Sequence, residues 1–159
     1  MANQRTSRPP VIRLFPDHAG TVLWLRDPVD YAQTALSTTL VAALQGWERN
    51  YYESLTEENT FRTKELARSF SAEGNRLAGI VAAEVGSGFA VEFSSYERFS
   101  RRRYFNSPMP ATNPAAATCF AALLEADDAA AAELAAPAQE EAARRTADWA
   151  AHRRTPEGA

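Results

Sequence analysis

Residues 63–96, TKELARSFSAEGNRLAGIVAAEVGSGFAVEFSSY, change their hydrophobic period once, and that change decides the fold. Leu66, Phe70, Leu77, Ile80, Val81 and Val85 recur at three- and four-residue steps, which puts them on one face of a helix. Thr63 is placed to cap its start, and Gly86-Ser87-Gly88 supplies a positive-φ stop. From there Phe89, Val91 and Phe93 alternate with Ala90, Glu92 and Ser94, the period of a strand. One helix lying across one sheet is the expected unit.

Upstream, Pro9-Pro10 keeps the chain extended into Val11-Ile12-Arg13-Leu14-Phe15, and Pro16 to Gly20 is turn chemistry leading to a second strand at Thr21–Leu25. Both runs read as apolar on each side, the pattern of strands covered on both faces. Ser37 is an N-cap candidate for a helix whose stripe is Leu40, Val41, Leu44, Trp47, Tyr51 and Leu55. A short acidic connection, Thr56 to Thr60, makes the two helices antiparallel neighbours. Downstream, Arg98 to Phe105 returns as a fourth strand, and Asn113-Pro114 opens a third helix. The fold class expected is α+β: a mostly antiparallel sheet of three to four strands covered by two antiparallel helices, in the order β-β-α-α-β-β-α.

Composition divides the chain into a lead (residues 1–8), a single domain (9–125) and a tail (126–159) of Ala, Glu and Arg. In the tail only Leu134 and Trp149 are large and apolar, and Pro137 is expected to break or kink any helix there. The tail is therefore expected to be solvated and partly helical or disordered. The net charge of −3 argues against a general nucleic-acid binder. The single cysteine, Cys119, excludes an internal disulfide, no signal peptide opens the sequence, and no window approaches a membrane span. A cytoplasmic protein is expected.

Chemistry-bearing residues are sparse. His18 beside Asp17 lacks a nucleophile, and two histidines with one cysteine match no zinc spacing. No catalytic residue, metal site or cofactor is assigned. Arg98, Arg101, Arg102 and Arg103 with Tyr96, Phe99, Tyr104 and Phe105 form the densest basic-aromatic run, a composition favoured in protein interfaces and also that of an edge strand kept from aggregating by charge. Trp47 and Tyr51 join it as candidate partner contacts. Gly74 sits on the apolar stripe and weakens the helix by about 1 kcal/mol relative to Ala, which points to a close approach, expected from the backbone of the first helix near Trp47. Glu73, Asn75 and Arg76 around it are a possible cleft.

Val11-Ile12-Arg13-Leu14, Val22-Leu23-Trp24-Leu25 and the helix bearing Trp47-Glu48 together resemble a group of small proteins from high-GC actinobacteria with no assigned activity. The resemblance covers residues 11–125 and implies domain limits alone. The functional expectation is a non-catalytic protein-interaction module, an inhibitor, immunity-type protein or regulatory subunit, gripping a protein partner through its arginines and aromatics. A small enzyme or ligand-binding domain at the Glu73 cleft is the alternative, and weak nucleic-acid binding through Arg98–Arg103 the second alternative.

Overall fold

The computed structural model describes residues 8–95 and 101–152. The elements follow the expected order: β1 (Val11–Leu14), β2 (Leu23–Trp24), α1 (Thr38–Glu53), α2 (Lys64–Val85), β3 (Ala90–Ser94), β4 (Arg102–Asn106) and α3 (Pro114–His152). The sheet is ordered β2-β1-β3-β4. Its outer pairs are antiparallel, while β1 and β3 run parallel at its centre, so the sheet is mixed. The chain divides into two compact units, Met1–Ala122 and Leu123–Ala159.

In the first unit, α1 and α2 cover one face of the sheet. Ile12, Leu14, Val91 and Phe93 point at them and are buried together with Leu44, Leu77 and Val81. The intervening Arg13 is exposed and Glu92 is half-buried. The expectation that β1 is covered on both faces is thereby corrected: its alternation is real, with a single arginine marking the open side. β2 is shorter than Thr21–Leu25 because the chain folds back on itself. The Val29 N–H donates to Leu23 O at 2.8 Å, and Pro28 bridges to Trp24.

The caps sit where short polar side chains were expected. Ser37 accepts from the Leu40 N–H, Thr63 from Leu66 and Asn113 from Ala116. Gly86 ends α2 at φ 76°, and a Cβ there would lie 2.4 Å from Ala111 N, so both conformation and space demand glycine. Near the end of α2, the buried carboxylate of Glu84 accepts the Ser37 N–H at 2.9 Å, the Ser37 hydroxyl, and the Asn113 side-chain amide at 3.0 Å. One side chain thus fastens the N-termini of two helices to the third. The start of α1 lies at the end of α2, while Trp47 stacks on Phe70 at 4.6 Å near the opposite ends, which makes the pair antiparallel. The first turns of α3 dock through buried Ala116 and Phe120, the latter against Phe89.

The second unit is the rest of α3. The expected break at Pro137 is absent: the helix runs through it to His152. Proline deletes one hydrogen bond, and the alanine-rich flanks have the propensity to continue on both sides. Leu134 and Trp149 are exposed.

Gly74 also departs from expectation. Its close neighbour is the Phe93 ring on β3, whose Cζ would lie 2.4 Å from a Cβ, and not the backbone of α1. Gly74→Ala should therefore destabilise the protein by about 1–3 kcal/mol despite the better helix propensity of alanine. In urea titrations, Gly74→Ala with Phe93→Leu should recover part of that loss, and an unaltered midpoint for Gly74→Ala alone would contradict the contact. Glu84→Ala, which removes the acceptor shared by Ser37 and Asn113, should cost about 1–3 kcal/mol in the same assay.

Candidate functional site

Directly paired residues share a face of a sheet, so the register sets out a row across all four strands: Trp24, Arg13, Glu92 and Tyr104. Arg102, two residues from Tyr104, is on the same face. The row is held in place from within. The Arg13 guanidinium donates to Leu25 O at 2.9 Å and lies 5.9 Å from the centre of the Phe15 ring. Phe15 stacks on Trp24 at 4.8 Å, and the Trp24 indole N–H donates to Phe15 O at 3.1 Å. Arg102 approaches the Glu92 carboxylate at 3.9 Å across a shallow hollow of about 230 Å³ lined by both arginines, Phe15 and Glu92. Tyr104 is 53% exposed at the sheet's edge.

The pleat divides the arginine run. Arg103 pairs with Phe93, which faces α2, so Arg103 and Arg101 belong to the helix side of the edge while Arg102 and Tyr104 belong to the open side. All four are exposed. Arg98, Tyr96 and Phe99 lie outside the described residues. Arg13, Phe15 and Trp24 join this cluster only through the register of the strands. Their signal was the lone charge in an otherwise apolar strand, followed by two aromatics separated by a turn.

Trp47 moves from the candidate surface to the core. It is 3% exposed, its indole N–H donates to Phe70 O at 3.1 Å, and it packs against Phe70 of α2 and Phe93 of β3, so it cannot be an exposed anchor. Tyr51 is half-buried, tilted against Phe70 and edge-on to Tyr52 and Phe61. Trp47, Tyr51 and Phe70 line a groove of about 520 Å³ between α1 and α2, which Glu53 and Glu73 also line.

The Glu73, Asn75 and Arg76 cleft does not assemble as expected. Glu73 and Arg76 form a forked pair across one turn of α2, with Arg76 Nε to Glu73 Oε2 at 2.9 Å. That hydrogen bond holds the Glu73 carboxyl below its ordinary range, with burial opposing it and the Arg76 charge adding to it. Asn75 is two residues from Glu73 and so on another side of the helix. Its Oδ1 is buried without a hydrogen-bond partner among the described residues. Of the three, Glu73 alone lines the groove.

At the other side of α1, the turn residue His18 adopts φ 48°, stacks on Tyr52 at 4.4 Å, and donates its backbone N–H to the Tyr52 hydroxyl. Burial pushes the Tyr52 phenol up, the His18 hydrogen bond opposing it. Burial likewise raises Glu48, against the pull of His18. Cys119 is half-buried. Among the described residues, no three of His, Cys, Asp and Glu gather closely enough to hold a metal.

A model of the Serratia CdiI immunity protein-like family matches residues 10–96, more than half of the chain. The chain belongs to that family. No curated protein and no solved structure matches it. The span shared with the Serratia CdiI immunity protein-like family runs from β1 through β3, and so contains Arg13, Phe15, Trp24, Glu92 and the whole α1–α2 groove. β4 and α3 lie beyond it, so Arg101 to Tyr104 are not part of what the family model recognises. No helix among the described residues of this family member is long and apolar enough to cross a membrane.

Tyr52→Phe should release the Asp17-His18 turn, seen as faster exchange of the His18 amide, at a cost of about 1 kcal/mol. The sign with pH follows from the raised phenol. A folded-state pKa above the unfolded value stabilises below pH 10 and is lost as pH rises through it. The decline of stability in alkali should therefore be shallower in Tyr52→Phe than in the wild type, and an identical decline would count against this role.

Proposed function

We propose that this chain is an immunity protein that binds a protein toxin and silences it without chemistry of its own. The toxin is received on the open sheet face and the β4 edge. Membership of an immunity protein-like family supports the class of function. The observation that carries the surface is the row Trp24–Arg13–Glu92–Tyr104 with Arg102 alongside, where the guanidinium of Arg13 is already fixed by Leu25 O and Phe15. An arginine held in place before association loses little side-chain freedom on binding, and arginine and aromatics are the residues that concentrate interface energy. The edge of β4 adds Arg101 and Arg103 on the far side of the pleat, so a partner straddling the edge meets positive charge on both sides. Location in the cytoplasm, and an origin in a high-GC actinobacterium, are parts of the same proposal.

Affinity capture from the native source, with cross-linking and mass spectrometry, tests it. Wild-type protein should recover one stoichiometric partner that arrests growth when expressed alone and is neutralised by this chain. Arg102→Glu/Tyr104→Ala should lose it, with binding weakened by about 100-fold or more, as expected when two central contacts each contribute 2 kcal/mol or so. Arg101→Glu/Arg103→Glu should weaken it less. A partner retained unchanged by both double variants, with their melting temperatures intact, would remove this face from the interface.

A further inference from the structure

The groove between α1 and α2 has no part in the surface proposed above. It belongs to the helical layer, whereas the Arg13 row lies on the opposite, open face of the sheet. Its floor is aromatic: Trp47 and Phe70, both buried, stack on each other, and the half-buried Tyr51 is tilted over Phe70 at 5.0 Å. Leu66, 37% exposed, completes the apolar lining. Asn50, Ser54 and Ser69 supply polar edges, and Glu53 and Glu73 the only charges among its described lining residues. A half-buried tyrosine ring beside two carboxylates, with no lysine or arginine in the lining, is complementary to a cation that is also flat and weakly hydrated.

We infer that this groove is a second docking site, and that it takes an arginine side chain presented by a protein partner. The guanidinium stacks on Tyr51 while donating to Glu73, with Glu53 adding charge from the facing helix. The molecule already displays half of this arrangement. Arg76 reaches back one turn and grips both oxygens of Glu73 in a fork, which shows that this carboxylate is accessible and oriented for a guanidinium. Arg76 lies outside the lining and is itself exposed, so an incoming arginine competes with a pair that is open to solvent. A compact ammonium matches less well, because it neither forks to a carboxylate nor lies flat on a ring. The groove falls wholly within residues 10–96, the span shared with the family, whereas β4 does not.

Acetyl-arginine-amide, titrated into the full chain and followed by amide and indole NMR shifts, tests the site. Saturable shifts are expected at the Trp47 indole and at the amides of Tyr51, Leu66, Phe70 and Glu73. Acetyl-citrulline-amide, equal in shape but uncharged, should produce none, and acetyl-lysine-amide should bind at least about threefold more weakly. Glu53→Gln/Glu73→Gln should weaken binding at least about fivefold, while Arg76→Ala, which frees Glu73, should tighten it about twofold. That last change has the opposite sign to what damage to the helix would give. Arg102→Glu/Tyr104→Ala should bind the probe as wild type does, so failure here and failure of the sheet-face reading are separable. Absence of saturable shifts, equal response to citrulline or lysine, or indifference to the Glu53 and Glu73 changes would each overturn the inference.

Discussion

A carboxylate taken out of water must be repaid in hydrogen bonds, and Glu84 is repaid by the two places where a helix begins. Its oxygens take the backbone N–H and hydroxyl of Ser37, which caps α1, and the side-chain amide of Asn113, which caps α3. Each helix start presents unsatisfied N–H groups and the positive end of a dipole, so one negative charge serves both. Asn113 spends its second amide proton on Ala35 O, and its backbone N–H returns to Glu84 O. The chain ends entering α1 and α3 are therefore tied to the last turn of α2. The position of α1 over the sheet follows from that knot at one end and from the Trp47–Phe70–Phe93 stack at the other.

Given that frame, the α1–α2 groove and the hollow on the open sheet face have different charged linings. The helical layer leaves a groove whose charges are both negative, while the uncovered side of the sheet carries Arg13 and Arg102 around a single Glu92. The net charge of −3 conceals this separation, because it averages over surfaces that never meet the same partner group. The aromatic residues do different work on each side. Phe15 and Trp24 brace a guanidinium belonging to the chain, whereas Tyr51 and Phe70 pack against each other where α1 meets α2.

Much of this frame was legible in the residues because it is written in local rules. Ser37, Thr63 and Asn113 are caps by side-chain reach, and Gly86 is a stop by conformation. The switch from helical to alternating period at Phe89 needs no tertiary information. What could not be read depends on which element lies opposite which. Gly74 announced a close contact without naming Phe93, since only the placement of α2 over β3 supplies the ring. Trp47 looked available because its own helix offers no reason to bury it completely; the stacked Phe70 comes from another element. The arginine run looked like one patch until pairing with β3 fixed the pleat and sent alternate residues to opposite sides. Arg13 is inconspicuous in the sequence because four apolar neighbours outweigh one charge in a short strand.

The parallel pairing of β1 with β3 has a consequence for how the chain is made. Val11 finds its partner in Ala90, about 80 residues later. At a synthesis rate of about 5–20 residues per second, the first strand leaves the ribosome roughly 4–16 s before the one it must lie beside. During that interval the nascent amino-terminal segment carries Ile12 and Leu14 with a vacant hydrogen-bonding edge, and the α1–α2 pair can close locally while it waits. Translation speed through the codons for α2 thus sets how long an adhesive strand is left unattended in the cell.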